Sequence, residues 1–270
     1  MNQDILVVTA TLGNRDSLQK TISAVKEVGG LRVKHILTAP MSKVNQLKEK
    51  YPGMEVLPEP ENCRGIYPAL NNAIKKYAKN FKYVTFINDD DYWLPDFKKL
   101  FEIVDAKDDV DVAYGRTLFM SENHEPIGEQ TSSPRYKSFK ALLKQHIPLF
   151  TQQATLIKTE LFFKVGGFDE SYKLIADTKF WAEAIDTGAR FYYKNGLFAA
   201  YIIQEGQLSS DGSTQKNEHI RLLNEDMFKH VKGSPTIEKL LFRLYNIDVY
   251  IKRIFKYKTV KKMSKQFHKT

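Results

Sequence analysis

Tyr83-Val84-Thr85-Phe86-Ile87-Asn88-Asp89-Asp90-Asp91-Tyr92-Trp93-Leu94-Pro95 is the stretch on which the fold turns. Its first five residues are β-branched or aromatic and carry no charge, so they read as a strand buried on both faces. That strand runs without a spacer into three consecutive aspartates. Carboxylates crowded at the end of a buried strand raise each other's pKa or recruit a cation. An oxygen-only cluster suits Mg2+ or Mn2+, and Mg2+ is commonly shared between one or two carboxylates and a substrate's phosphates. The plainer alternative is a solvated turn capping the helix after Pro95. The buried strand in front of the triplet favours ligand binding.

Upstream of this strand the chain alternates between strand and helix patterns. Residues 5–8, 33–37 and 54–57 read as short strands. Residues 17–28, 44–51 and 69–77 read as helices, and Gly29-Gly30 and Pro52-Gly53 close the first two. Such an order predicts an α/β fold with a mostly parallel, Rossmann-like central sheet flanked by helices. Ligands of these sheets bind beyond the carboxyl ends of the strands. Thr9, Thr11 and Arg15 follow the first strand and therefore share an edge with the triplet.

Downstream the pattern is less regular. A helix to about residue 104, a strand at 110–114, a polar loop at 121–136 and a strand at 151–157 are expected. A short helix ending at Gly166-Gly167, a helix at 177–185 and strands at 191–193 and 197–203 follow. The division expected is a domain over residues 1–235, with a ligand-binding half (1–115) and a less regular second half (116–235). Residues 236–270 form an extension.

The chain has 270 residues, 42% of them hydrophobic and 27% charged, which is ordinary globular usage. A single cysteine, Cys63, excludes an internal disulfide and any multi-cysteine zinc site. The longest apolar run, 197–203, is far too short to span a bilayer. Met1-Asn2-Gln3-Asp4 shows no readable signal peptide, so a cytoplasmic location is expected. The histidines show no HExxH spacing, and there is no GxGxxG, P-loop or GxSxG.

The net charge is +9, and residues 239–270 carry all of it, with ten Lys/Arg against one acid, Asp248. Residues 1–238 are balanced, which argues against a nucleic-acid surface on the main domain. In the extension Ile237, Leu240, Leu241, Leu244, Ile251 and Phe255 fall near helical spacing among Arg243, Lys252, Arg253 and Lys256. This is the pattern of a basic amphipathic helix. It suits an anionic membrane surface or a partner, and equally a helix packed on its own domain.

Four stretches resemble glycosyltransferase family 2, the inverting nucleotide-sugar-dependent enzymes of GT-A fold, and most closely its bacterial surface-polysaccharide members. Val7-Val8-Thr9-Ala10-Thr11-Leu12-Gly13-Asn14-Arg15 resembles the opening strand and nucleotide loop. Arg64-Gly65-Ile66-Tyr67-Pro68-Ala69-Leu70-Asn71-Asn72-Ala73-Ile74 is similar to the family's GIYDAMNKGI stretch. Phe86 to Trp93 resembles its DxD region. Gln152-Gln153-Ala154-Thr155, Gly166-Gly167-Phe168-Asp169-Glu170 and Ile175-Ala176-Asp177 resemble the acceptor-side signature.

The resemblance implies a role for each. Asp91, with Asp89, would ligate the metal that bridges the diphosphate. Asp89 or Asp90 would contact the ribose or donor sugar. Thr9, Thr11, Arg15 and Asn71 would bind the nucleotide, and Asp177 would be the catalytic base of a single displacement. The implied cofactor is Mn2+ or Mg2+, and the implied donor is a UDP- or GDP-sugar. The acceptor would be a glycan or polyprenyl-linked oligosaccharide in lipopolysaccharide or capsule synthesis, at the inner face of the cell membrane. No nucleic-acid partner is expected. Thr38-Ala39-Pro40-Met41-Ser42-Lys43 departs from the family pattern by lacking its acid, and Pro68 stands where an aspartate is common.

Other readings stay open beside this one. One is a nucleotidyl-transfer enzyme with the same metal-diphosphate site. Another is a non-catalytic binding protein with a membrane- or nucleic-acid-binding tail. Asp169 reads as a helix cap, Trp93 as core rather than a sugar platform, and Cys63 as a passive thiol. Glu205-Gly206-Gln207-Leu208-Ser209 resembles a loop over the active site and equally a plain surface turn.

Overall fold

A computed structural model describes residues 3–204 and 212–257. The proposed loop at Gln207 and Ser209 lies outside the described residues. Strand and helix alternate as the sequence predicts: β1 (Ile5–Ala10), α1 (Leu18–Gly29), β2 (Val33–Ala39), α2 (Met41–Lys50), β3 (Glu55–Pro58), α3 (Ile66–Tyr77) and β4 (Tyr83–Phe86). Then come β5 (Tyr92–Trp93), α4 (Lys98–Ala106), β6 (Val112–Ser121), β7 (Pro126–Glu129), α5 (Phe139–Leu143), β8 (Thr155–Lys158) and α6 (Thr159–Val165). The remaining elements are α7 (Ala176–Asp186), β9 (Phe191–Ile203), α8 (Gly212–Leu223), α9 (Pro235–Tyr245) and α10 (Ile247–Phe255).

The strands form one sheet in the order β3-β2-β1-β4-β8-β6-β9-β5, with β7 paired to β6. The first four run parallel, with Ile5 opposite both Val33 and Tyr83. β8 is antiparallel to β4 and to β6, whereas β6 and β9 are parallel. Because side chains alternate across a strand, β1 feeds two cores. Leu6 and Val8 join the cluster under α3 and α7, while Ile5 and Val7 join the one containing Phe97, Leu100 and Val104. A sheet buried on both faces explains why β1 and β4 read as continuous apolar runs.

Three expectations change. Residues 191–193 and 197–203 form one strand, which pairs with β6 on both sides of a register shift opposite Tyr114 and Arg116. The expected loop 121–136 contains β7, which pairs Leu118 with Glu129. The basic segment forms two helices meeting at Asn246 rather than one. Their inward residues Phe242, Asn246 and Val249 are buried against the domain.

Candidate active site

β1 and β4 are adjacent and parallel, so the chain beyond Ala10 meets the chain beyond Phe86 at one sheet edge. The contacts there are specific. The Thr11 hydroxyl donates to Asp89 Oδ2 at 2.6 Å and accepts from the Gly13 N–H at 3.0 Å. Arg15 reaches across with Nη1 2.5 Å from Asp90 Oδ2 and Nε 3.3 Å from Asp89 Oδ1. Ser17 donates to the Asp89 carbonyl and Thr21 to that of Asp91, which ties the start of α1 to the triplet. From the far side Gln204 Nε2 donates to Asp90 Oδ2 at 2.9 Å.

The three aspartates differ in environment. Asp89 keeps some exposure. Burial lifts its pKa above the ordinary carboxylate range, against the Thr11 hydrogen bond and the Arg15 charge that pull it down. Asp91 has no exposed surface. Its Oδ1 accepts from the Ile202 N–H at 3.0 Å, and its Oδ2 accepts from Gln153 at 2.9 Å and Asn88 at 3.0 Å. Burial, and then the neighbouring Asp90 charge, push its pKa well above the usual range. Both Asp91 oxygens are thus occupied by protein donors, whereas Arg15 reaches the carboxylates of Asp89 and Asp90.

Two further expected nucleotide contacts are placed differently. Thr9 is fully buried with its hydroxyl 3.0 Å from His35 Nε2 between β1 and β2, and burial pushes His35 down to about 3. Asn71 spends its amide on the 167–170 loop. It donates to the Phe168 carbonyl and to Glu170, and accepts from the Phe168 N–H at 2.9 Å. A Cβ on Gly167, at φ +88, would stand 2.8 Å from Asn71 Oδ1, so glycine is required for that approach.

Asp177 occupies the first turn of α7, at the edge where α3 begins. Tyr67, in the first turn of α3, donates its hydroxyl to Asp177 Oδ1 at 3.1 Å and to the Leu174 carbonyl at 3.0 Å. The Thr178 N–H donates to the same Oδ1 at 2.7 Å. Burial raises the Asp177 pKa, and these hydrogen bonds oppose the rise. The turn before α7 is held by Glu218, whose carboxylate accepts the N–H groups of Lys173 (2.6 Å), Leu174 (2.9 Å) and Ile175 (3.3 Å). On the same edge a cavity of about 460 Å³ opens beside the start of α3, lined by Cys63, Arg64, Asn72, Lys75 and Glu170 among others. Burial, then the Glu59 and Glu170 charges, raise the Cys63 thiol, which agrees with a passive role.

The sequence reading missed Glu218, Tyr67 and Gln204. Glu218 and Gln204 lie far along the chain from the residues they serve, and no local pattern marks them. Tyr67 lay inside a quoted stretch, but its target is 110 residues away. Trp93 stacks on Phe97 with ring centroids 3.9 Å apart, in the core as expected. Asp169 accepts from Ser171 in a local turn.

Among the described residues no group of three His, Cys, Asp or Glu side chains is poised to hold a metal. The donor chemistry nevertheless fits one. Asp89 and Asp90 are hard oxygen ligands, and a guanidinium already stands between them as a cation. A divalent ion there would need further oxygens from a bound molecule, which is how Mg2+ usually sits.

A search of curated protein sequences finds no match. Among solved structures the chain is similar to Staphylococcus aureus TarS 1–349 in complex with UDP-GlcNAc. Identity is 15% and the TM-score 0.61, over 97% of this chain and 77% of that one. It is also similar to the mannosyltransferase PcManGT from Pyrobaculum calidifontis, solved with GDP-Man and Mn2+. There identity is 14% and the TM-score 0.61, over 91% and 70%. At these identities the likeness is one of fold, and the fold is GT-A. The model of the family described as "Glycosyl transferase family 2" matches residues 7–166, more than half of the sequence. The chain thus belongs to glycosyltransferase family 2.

Proposed function

We propose that this glycosyltransferase moves a sugar from a nucleoside diphosphate donor to a glycan or polyprenyl-linked acceptor by one inverting displacement, in surface polysaccharide synthesis. One observation carries the mechanism. Asp177 is fixed by Tyr67 and Thr178 at the sheet edge that also holds Asp89 and Asp90, the two carboxylates Arg15 reaches. A divalent cation held by Asp89 and Asp90 would neutralise charge on the departing diphosphate.

The chain's own residues do the rest. Asp177 takes the proton of the acceptor hydroxyl as that oxygen bonds to the anomeric carbon and the bond from that carbon to the diphosphate oxygen breaks. The raised pKa makes Asp177 a better base than an exposed aspartate, and such help is worth about 10²–10⁴-fold in rate. Tyr67 and Thr178 anchor Oδ1 of Asp177, and among the described residues no donor engages Oδ2, so one lone pair stays directed for the proton. Asp91 aligns the triplet, and Arg15 neutralises Asp89 and Asp90 before donor binds. Thr11, locked to Asp89, shapes the nucleotide side of the edge.

The supporting comparison is that TarS and PcManGT are solved with UDP-GlcNAc and with GDP-Man and Mn2+. The test is a screen of the purified full chain for nucleoside diphosphate release from UDP- and GDP-sugars with Mn2+. Release of the diphosphate, lost in Asp177→Asn, is expected. Release of pyrophosphate would identify nucleotidyl transfer and overturn the reading.

A further inference from the structure

The last two helices are docked to the domain by one face and leave the opposite face apolar. Inward, Asn246 Oδ1 accepts from the Ser132 N–H at 2.9 Å, Asp248 pairs with Arg116 at 2.8 Å, and Glu129 receives Lys252 at 3.0 Å and the Tyr257 hydroxyl at 2.7 Å. These bonds set the rotation of α9 and α10. Outward, Ile237, Leu240 and Leu244 on α9 are 59, 58 and 58% exposed, and Ile251 and Phe255 on α10 are 50 and 76% exposed. Advancing about 100° per residue, Ile237, Leu240 and Leu244 share the side of α9 opposite the buried Phe242, and Ile251 and Phe255 share the side of α10 opposite the buried Val249. Leu241, Ile247 and Ile254 flank them. At about 1.5 Å per residue the stripe runs for about 28 Å. A contiguous apolar face of this kind on a folded surface marks an interaction site.

Charge decides among the occupants. The two acids of residues 235–257, Glu238 and Asp248, are both taken up by the domain, Glu238 by Arg135 and Ser138 and Asp248 by Arg116. Of the segment's five Lys or Arg side chains, Lys252 and Arg253 turn inward to Glu129, which leaves Lys239, Arg243 and Lys256, and residues 258–270 add five lysines and no acid. A second copy meeting this face would oppose like charge to like charge. An anionic lipid surface offers acyl chains to the stripe and headgroup charge to its flanks. Among the described residues no helix is long and apolar enough to cross a membrane, so contact would be in the plane of the surface.

We propose that the outward face of α9 and α10 is a docking surface for an anionic bilayer. This stands apart from the sugar-transfer reading and needs no turnover to test. The full chain is sedimented with vesicles of phosphatidylcholine and phosphatidylglycerol, and with phosphatidylcholine alone. Binding to the mixed vesicles is expected to weaken as salt rises, and each basic side chain at the surface is worth about five-fold in partition. The triple variant Leu240→Asp, Leu244→Asp, Ile251→Asp changes only exposed positions and should melt like the parent chain while losing binding about ten-fold or more. The pair Arg243→Glu, Lys256→Glu, which leaves the stripe intact, should lose the preference for the anionic vesicles. Three results would overturn the proposal: no sedimentation with either vesicle, binding unchanged in both variants, or a dimer in sedimentation velocity that the triple variant dissolves.

Discussion

Asp91 separates a buried strut from an open metal ligand, and the two assignments predict opposite behaviour on substitution. In Asp91→Ala the Ile202 N–H and the Gln153 amide lose their acceptor inside the protein, where a stranded donor costs about 1–3 kcal/mol. The Asn88 amide is only partly buried and can turn to water. Relief of a carboxylate that burial already holds above its usual pKa returns part of the loss. The net expectation is about 3 kcal/mol of lost stability.

Asp91→Asn should be far milder, at about 1 kcal/mol. Its carbonyl can keep the Ile202 N–H, and Gln153 Oε1, buried without a partner among the described residues, can accept from the new amide once the Gln153 amide turns over. Urea unfolding followed by tryptophan fluorescence, with the slope unchanged between variants, gives both numbers. A loss below about 1 kcal/mol in Asp91→Ala, together with complete loss of Mn2+-dependent diphosphate binding, would refute the strut and restore Asp91 as a ligand.

Asp177→Asn should cut the transfer rate about 10²–10⁴-fold with little change in donor binding, because the amide still accepts from Tyr67 and Thr178. In the parent chain the rate should rise with pH through a limb above the ordinary carboxylate range. Ionising a group whose folded pKa is raised weakens the fold, so Asp177 makes stability fall as pH climbs from the usual aspartate value to the raised one. Melting temperatures across that window should be flatter in Asp177→Asn. Glu218→Ala frees three N–H groups before α7 and should lower kcat more than KM, read in steady-state kinetics. Gly167→Ala should cost about 2 kcal/mol in urea unfolding, from a strained φ and the clash with Asn71.

The first half of the fold was legible because its strands are buried on both faces and its helices end at glycine or proline signals. Ile5, Val7 and Tyr83 announce β1 and β4 by their own chemistry. The second half was harder, since β9 is half-exposed and its polar Lys194 and Asn195 mimic a turn that pairing with β6 overrides. At the site the edge was readable from topology, and Thr11, Arg15, Asp89 and Asp90 do meet there. Side-chain direction was not readable. Thr9 lies within β1 and Thr11 just beyond it, and they meet different neighbours, while Asn71 serves a loop nearly a hundred residues on. Adjacent Asp90 and Asp91 likewise diverge in the turn after β4, one meeting Arg15 and Gln204 and the other the Ile202 N–H.

The central claim is that Asp89 and Asp90 exchange the Arg15 guanidinium for a divalent cation and a nucleoside diphosphate. A crystal soaked with Mn2+ and UDP or GDP, measured for anomalous scattering, tests it directly. A manganese peak against Asp89 or Asp90 and the diphosphate oxygens, with Arg15 displaced, is the predicted result. A diphosphate bound with no such peak, and with Arg15 still between the two carboxylates, would contradict it.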